Sequence, residues 1–276
     1  MRVALFLTLI LELGAQTQFK LQYRLPLPEE ITGGGIQPDL VRHGPGETFL
    51  LLDRQSKNIV RLTVDGGVTI TGGFGQSEES LFDPVDMIVD QMTVYILDRG
   101  RDGWVQFDYQ LRFLDFLPLK NGLDPYRFTK DSFGNVYVAG YSNQGIFRKT
   151  RVGWDPGPFV DFQYLTPTPE YIQLLETNPR GELAFISQNP DQLMVFSSTG
   201  RLLSQQSLNR PEQVKGLLYI SGRWIAARQV ATGLVFQSGA EALATLPVDS
   251  VVSVVQAAQD VIVLNNKYIR KYQITK

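Results

Sequence analysis

A few polar side chains recur just behind a proline, and their spacing would bring them together at one end of a ring. Pro38, Pro84, Pro125, Pro169 and Pro211 are 46, 41, 44 and 42 residues apart. Two positions after them stand Leu40, Asp86, Arg127, Tyr171 and Gln213, with Val252 in a degenerate last unit. One position after stand Asp39, Val85, Tyr126, Glu170 and Glu212, with Val251. If each proline leads into an inner strand, these side chains converge on an axis, where a rigid scaffold offers them to a ligand. Asp86, Arg127, Tyr171 and Gln213 are therefore candidates for binding a small polar or peptide group. The bland alternative is a set of solvated pore residues, in which an Asp86–Arg127 pair is worth only ~0–1 kcal/mol. Trp154 joins the candidates from the Pro/Gly-rich loop GWDPGPF, with packing over a blade edge as its alternative role.

Catalytic chemistry has less to work with. Asp86, Glu170 and Glu212 are oxygen donors that suit a hard cation such as calcium. Inner-strand asparagines to complete such a site are missing, because Asn121, Asn178 and Asn209 precede their strands and read as turn residues. No cofactor is expected, calcium being the one candidate. The chain has no cysteine and one histidine, His43, so thiolate sites and His-pair metal centres are excluded. His43 in RHGPG would border the axis, where Asp39 or Asp86 could make it a base, or it is a plain turn residue. There is no Gly-x-Ser-x-Gly elbow and no Gly-rich phosphate loop.

Composition narrows the partners. Lys plus Arg number 26 against 28 Asp plus Glu, a net charge of -2, which argues against non-specific nucleic-acid binding. Residues 1–15, MRVALFLTLILELGA, read as an export signal: Arg2, an apolar stretch over Val3–Leu11, and a small-residue exit at Gly14–Ala15. That run is shorter than the ~20 residues of a membrane span, and no later segment reaches that length. Residues 16–276 are then one monomeric domain, periplasmic or secreted in the cell envelope.

The elements that would position the candidates are short strands between turns. The second unit reads as strands at 86–90, 93–97, 104–109 and 111–117, and the third as strands near 127–131, 135–139, 145–149 and 159–165. Turn signals such as Asp65–Gly66–Gly67 and Phe133–Gly134–Asn135 separate strands. A period of 41 to 46 residues is that of propeller blades, which cannot bury both faces alone. The sixth unit holds only three strands, near 251–256, 260–264 and 268–274. Its missing outer strand is FKLQYRLPL at 19–27, so the termini close the ring together. The expected fold is all-β: a six-bladed β-propeller of four-stranded antiparallel blades, the sixth closed by the N-terminal strand.

FDPVDMIVDQMTVYILDRGRDGWVQFD at 82–108 resembles an NHL repeat, and DPYRFTKDSFGNVYVAGYSNQGIFRKT at 124–150 does so with Gly140 where Asp98 stands. The resemblance implies a propeller and does not specify an activity. Asp53 and Asp98 are expected to accept turn N–H groups while Arg54 and Arg99 reach solvent or a neighbouring carboxylate, with ligand contact as the alternative role. Six-bladed propellers of this kind include calcium-dependent lactonases and esterases, the alternative function for this chain. Lyases built on histidine-bound zinc are excluded by the single histidine. The expected function is an exported NHL-like binding or scaffold module for a protein, peptide or glycan.

Overall fold

The computed structural model describes residues 18–275 apart from 91, 121, 142–144, 209, 211–212 and 240. The export segment and Glu212 therefore lie outside the described residues. Strand β1 (Gln18–Pro26) leads through a short helix α1 (Glu29–Thr32) into the first blade, β2 (Leu40–Gly44), β3 (Thr48–Asp53), β4 (Asn58–Thr63) and β5 (Val68–Gly72). The second blade is β6 (Pro84–Asp90), β7 (Thr93–Asp98), β8 (Gly103–Asp108) and β9 (Phe113–Pro118). The third is β10 (Pro125–Lys130), β11 (Val136–Gly140), β12 (Gly145–Lys149) and β13 (Val160–Asp161). The fourth is β14 (Tyr171–Thr177), β15 (Leu183–Gln188), β16 (Gln192–Phe196) and β17 (Leu202–Ser207). The fifth is β18 (Val214–Ile220), β19 (Arg223–Val230), β20 (Gly233–Ser238) and β21 (Glu241–Leu246). Strands β22 (Val251–Ala257), β23 (Asp260–Asn265) and β24 (Tyr268–Thr275) end the chain.

Each blade is a four-stranded antiparallel sheet, and the sixth runs β22–β23–β24–β1. Strand β1 pairs with β24 from Gln18↔Thr275 to Pro26↔Tyr268, as the strand count requires. Without it β24 would present a row of open N–H and C=O groups. The inner strands touch in a closed cycle, β2–β6–β10–β14–β18–β22 and back to β2. The chain is a six-bladed β-propeller. No helix among the described residues is long and apolar enough to cross a membrane.

The alternating apolar residues have no single centre to fill. They form six buried clusters, one between each pair of neighbouring blades. Leu50, Leu52, Met87 and Ile96 join blades one and two; Tyr137, Phe162, Ile172 and Phe185 join blades three and four. Leu218, Phe236, Val254 and Tyr272 join blades five and six, with Phe19 of β1 stacked 4.3 Å from Phe236. Each blade is sandwiched between two others, so the sheet faces are buried although no blade is globular by itself.

Of the carboxylates at the ends of second strands, Asp53 accepts turn N–H groups as expected, from Gln55 at 2.9 Å and Ser56 at 3.0 Å, and both Asp53 and Asp98 also fasten the incoming connections. Asp53 accepts the Gln37 N–H at 2.7 Å, and Asp98 accepts those of Phe82 and Asp83, both at 2.8 Å. The arginines that follow pair with neighbouring carboxylates, Arg54 with Asp39 at 2.6 Å and Arg99 with Asp83 at 2.7 Å. In the third blade Gly140 replaces the carboxylate. A Cβ there would sit 1.9 Å from the Leu123 carbonyl oxygen, so close backbone approach does the fastening.

Candidate functional site

Five of the six inner strands carry a β-bulge near their start. The register slips between Pro84 and Asp86, Pro125 and Arg127, Ile172 and Leu174, Val214 and Gly216, and Val251 and Ser253. The bulged residues are Val85, Tyr126, Gln173, Lys215 and Val252. A bulge re-aims the side chains that follow it. In blades two and three it falls one residue behind the marker proline, and in blades four and five four residues behind. Asp86 and Arg127 are thus matched by Leu174, Gly216 and Ser253. Tyr171 and Gln213 lie one or more turns of the pleat earlier and are not their equivalents.

The upper mouth of the channel, where inner strands begin, opens into a cavity of about 180 Å³ walled by all six. Asp86 lines it at 4% exposure and accepts the Met87 N–H at 2.9 Å and the Phe128 N–H of blade three at 3.2 Å. Its ion-pair partner is Arg42, at 3.8 Å; no pair with Arg127 forms among the described residues. Arg127 donates through Nε to the Gln173 carbonyl (2.8 Å) and through Nη1 to those of Tyr126 (2.8 Å) and Val85 (3.3 Å). Its Nη2 reaches the Tyr171 hydroxyl at 3.2 Å. Gln213 is anchored by its N–H to the Arg210 carbonyl at 3.2 Å, and blade five contributes Val214, Lys215 and Gly216 to the cavity instead. Trp154 packs 6.4 Å from Trp104 against the cluster between blades two and three, the blade-edge role. Glu170 is exposed and accepts from Asn189 Nδ2 at 2.8 Å, away from the cavity lining.

Two residues that marker counting misses divide the channel. Arg42 of blade one and Glu176 of blade four, opposite each other in the ring, stand 3.4 Å apart. Both line the cavities above and below their contact. Burial pushes the Glu176 carboxyl above the ordinary glutamate range, Asp86 adds to the effect, and Arg42 opposes it. The available signal was a lone charge in each of two largely apolar strands, LVRHG and YIQLLET. Neighbouring blades are stitched in the same layer: Arg42 Nε donates to the Met87 carbonyl at 2.9 Å and Gln173 Nε2 to that of Val214 at 2.9 Å. A side chain from one blade thus satisfies a carbonyl of the next.

Below the pair lies a wider cavity of about 440 Å³, where His43 is found with Lys130 and Asp260. Burial lowers the His43 pKa, which keeps the ring neutral at pH 7, and its Nε2 is buried without a hydrogen-bond partner. Asp39 and Asp86, the acids that would have made it a base, line the upper cavity. Close by, Lys271 of blade six bonds Glu47 of blade one and pairs with Asp260 at 3.2 Å. Among the described residues no three His, Cys, Asp or Glu side chains converge as a metal site.

Comparison with known proteins bears on the fold. Residues 121–148 match the family described as a β-propeller repeat, SBBP. No curated protein matches the sequence. Among solved structures, a streptogramin B lyase superposes with a TM-score of 0.60 at 13% identity, covering 93% of this chain and 98% of that one. The virginiamycin B lyase of Staphylococcus aureus gives 0.63 at 11%, covering 94% and 100%. A Bacteroides thetaiotaomicron VPI-5482 protein of unknown function gives 0.59 at 13%, covering 93% and 73%. Identities this low speak for the shared propeller and for nothing finer.

Proposed function

We propose that the protein is an exported, monomeric binding module of the cell envelope that holds a protein, peptide or glycan over its upper channel mouth. One observation carries this reading. The charged and amide side chains of the axis are engaged between blades, Arg42 with Met87 and Glu176, Arg127 with Val85 and Gln173, Gln173 with Val214. Groups fixed in that way hold a ring together and are poorly placed to move protons or ligate substrate. The axis then serves as scaffold, and ligand contact falls to the loops around the mouth. The first fifteen residues support export by their signal-like pattern.

A calcium-dependent hydrolase would need its acids gathered in the channel. Asp86 is taken up by two backbone N–H groups and Glu170 stands outside the cavity lining. Another neighbour is a catalytically inactive histidine-to-alanine virginiamycin B lyase with quinupristin. A comparable lyase here would depend on His43, which lines the lower cavity. The test is calorimetry of the mature chain with calcium, run beside turnover assays on small lactones and esters. Neither calcium heat nor turnover is expected. Micromolar calcium binding with turnover abolished by Asp86→Asn would overturn the reading.

A further inference from the structure

We propose that the upper face carries a carbohydrate subsite, a floor of aromatic rings from Tyr171 to Phe74 that takes a chain of uncharged pyranose rings. This rests on the reading of that face as the ligand-binding one. Tyr126 is buried at the base of the floor, with the Tyr141 ring 4.2 Å and the Tyr171 ring 5.1 Å away. Tyr141 and Tyr171 are near-parallel, 19° apart with centroids 6.2 Å from each other, and Tyr141 is 47% exposed. Arg99 lies 5.8 Å from the Tyr141 ring. It belongs to the junction that carries Phe82, which is 42% exposed and edge-on to Phe74 at 6.0 Å; Phe74 is 77% exposed. Tyr126 and Tyr171 stand at the starts of the inner strands β10 and β14, Phe74 and Phe82 on the connection into β6, and Arg99 and Tyr141 just past the ends of β7 and β11, all at the upper end of the ring. Singly exposed rings need no explanation, but Phe74 and Phe82 between blades one and two and Tyr141 on blade three, exposed on one face and backed by buried Tyr126, do.

The chemistry of the run selects its occupant. A pyranose ring has apolar C–H faces and a rim of hydroxyls, so it needs rigid flat rings beneath and fixed donors and acceptors at the side. Tyrosines supply contact area at small entropic cost. The polar rim is made of Arg99 with Asp83 and Arg54 with Asp39, planar forks held by ion pairs. Asp39 Oδ1 is left without a hydrogen-bond partner. Each of these guanidiniums is balanced by a carboxylate, and Lys57, 4.6 Å over the Phe74 ring, adds one cation to the floor, too little for a field that would select an acidic chain. A peptide adding as a strand would need open main-chain groups. Here Arg42, Arg127 and Gln173 already occupy inner-strand carbonyls at this end.

The experiment is titration calorimetry of the mature chain with cello- and chito-oligosaccharides, a galacturonate oligomer and a displayed peptide library as comparators. Tyr141→Ala and Phe74→Ala are the test variants, Met92→Ala in the β6–β7 turn the control, and unfolding is followed on the same preparations. A neutral oligosaccharide should bind the parent and the control, and binding should weaken ~10-fold or more in both test variants without loss of stability. Preference for the galacturonate oligomer, or sugar binding indifferent to both test variants, would overturn the proposal. Peptide binding that depends on Tyr141, with no sugar binding, would overturn the carbohydrate assignment and leave the face as the binding face. Binding of no probe would remove both.

Discussion

Arg42 and Glu176 come from opposite blades and meet 3.4 Å apart across the channel. Arg42 also stands 3.8 Å from Asp86, so one guanidinium faces two carboxylates in a confined space. Burial raises the Glu176 pKa, with Asp86 acting in the same direction and Arg42 against it. The folded chain therefore holds this proton at a pH where the unfolded chain has released it. Stability from this source is complete below the ordinary glutamate value of ~4.3 and is lost as pH rises through the raised value. Glu176→Gln removes the titration. The stability of the parent relative to this variant should fall from acidic to neutral pH in urea unfolding; a flat or rising difference would contradict the assignment.

The second expectation concerns ring closure. Deleting residues 16–27 removes the partner of β24 along its whole length and the Phe19 ring stacked on Phe236. It should lower the melting temperature far more than shortening the exposed 151–153 turn, and it should promote association through the bared edge. Equal melting temperatures for the two deletions would sink the idea that the termini lock the disc.

At Gly216 the inner strands of blades five and six approach closely. A Cβ there would stand 2.3 Å from the Val254 carbonyl oxygen and 2.7 Å from the Val254 Cβ. Gly216→Ala should therefore cost ~1–3 kcal/mol as β18 is pushed from β22. Denaturant unfolding checks this; a neutral or stabilising result would mean that the strands slide apart freely.

Asp98 is fully buried and accepts two backbone N–H groups of the connection before β6. Asp98→Ala leaves both donors unsatisfied and should cost ~2–4 kcal/mol, with hydrogen exchange accelerated at Phe82 and Asp83. Unchanged exchange at those amides would show that the carboxylate is dispensable there.

The ring, the blade count and the closure were legible because prolines, turns and alternating strands recur locally, and each blade repeats the signal. The turn-binding role of Asp53 was legible for the same reason, but not the hold of Asp53 and Asp98 on the incoming connections. The channel was not. Its lining depends on where each inner strand bulges, and the bulge sits at different distances from Pro84 and Pro125 than from Pro169 and Pro211. Counting from prolines therefore gave Tyr171 and Gln213 the strand positions that the fold gives to Leu174 and Gly216, although the Tyr171 hydroxyl does meet Arg127 at 3.2 Å. It also paired Asp86 with Arg127, although Asp86 turns to Arg42. The Arg42–Glu176 contact joins residues 134 positions apart, and only the closed ring brings them together.

The central claim is that the polar residues of the axis hold the blades together. Arg127 tests it most directly, because it bonds three backbone carbonyls contributed by three different blades. The decisive measurement is the unfolding free energy of Arg127→Ala in denaturant against the parent. The account predicts a loss of ~2–4 kcal/mol, from carbonyls left without donors and a lost charged hydrogen-bond network. A variant as stable as the parent would contradict it and return Arg127 to the residues free to meet a ligand.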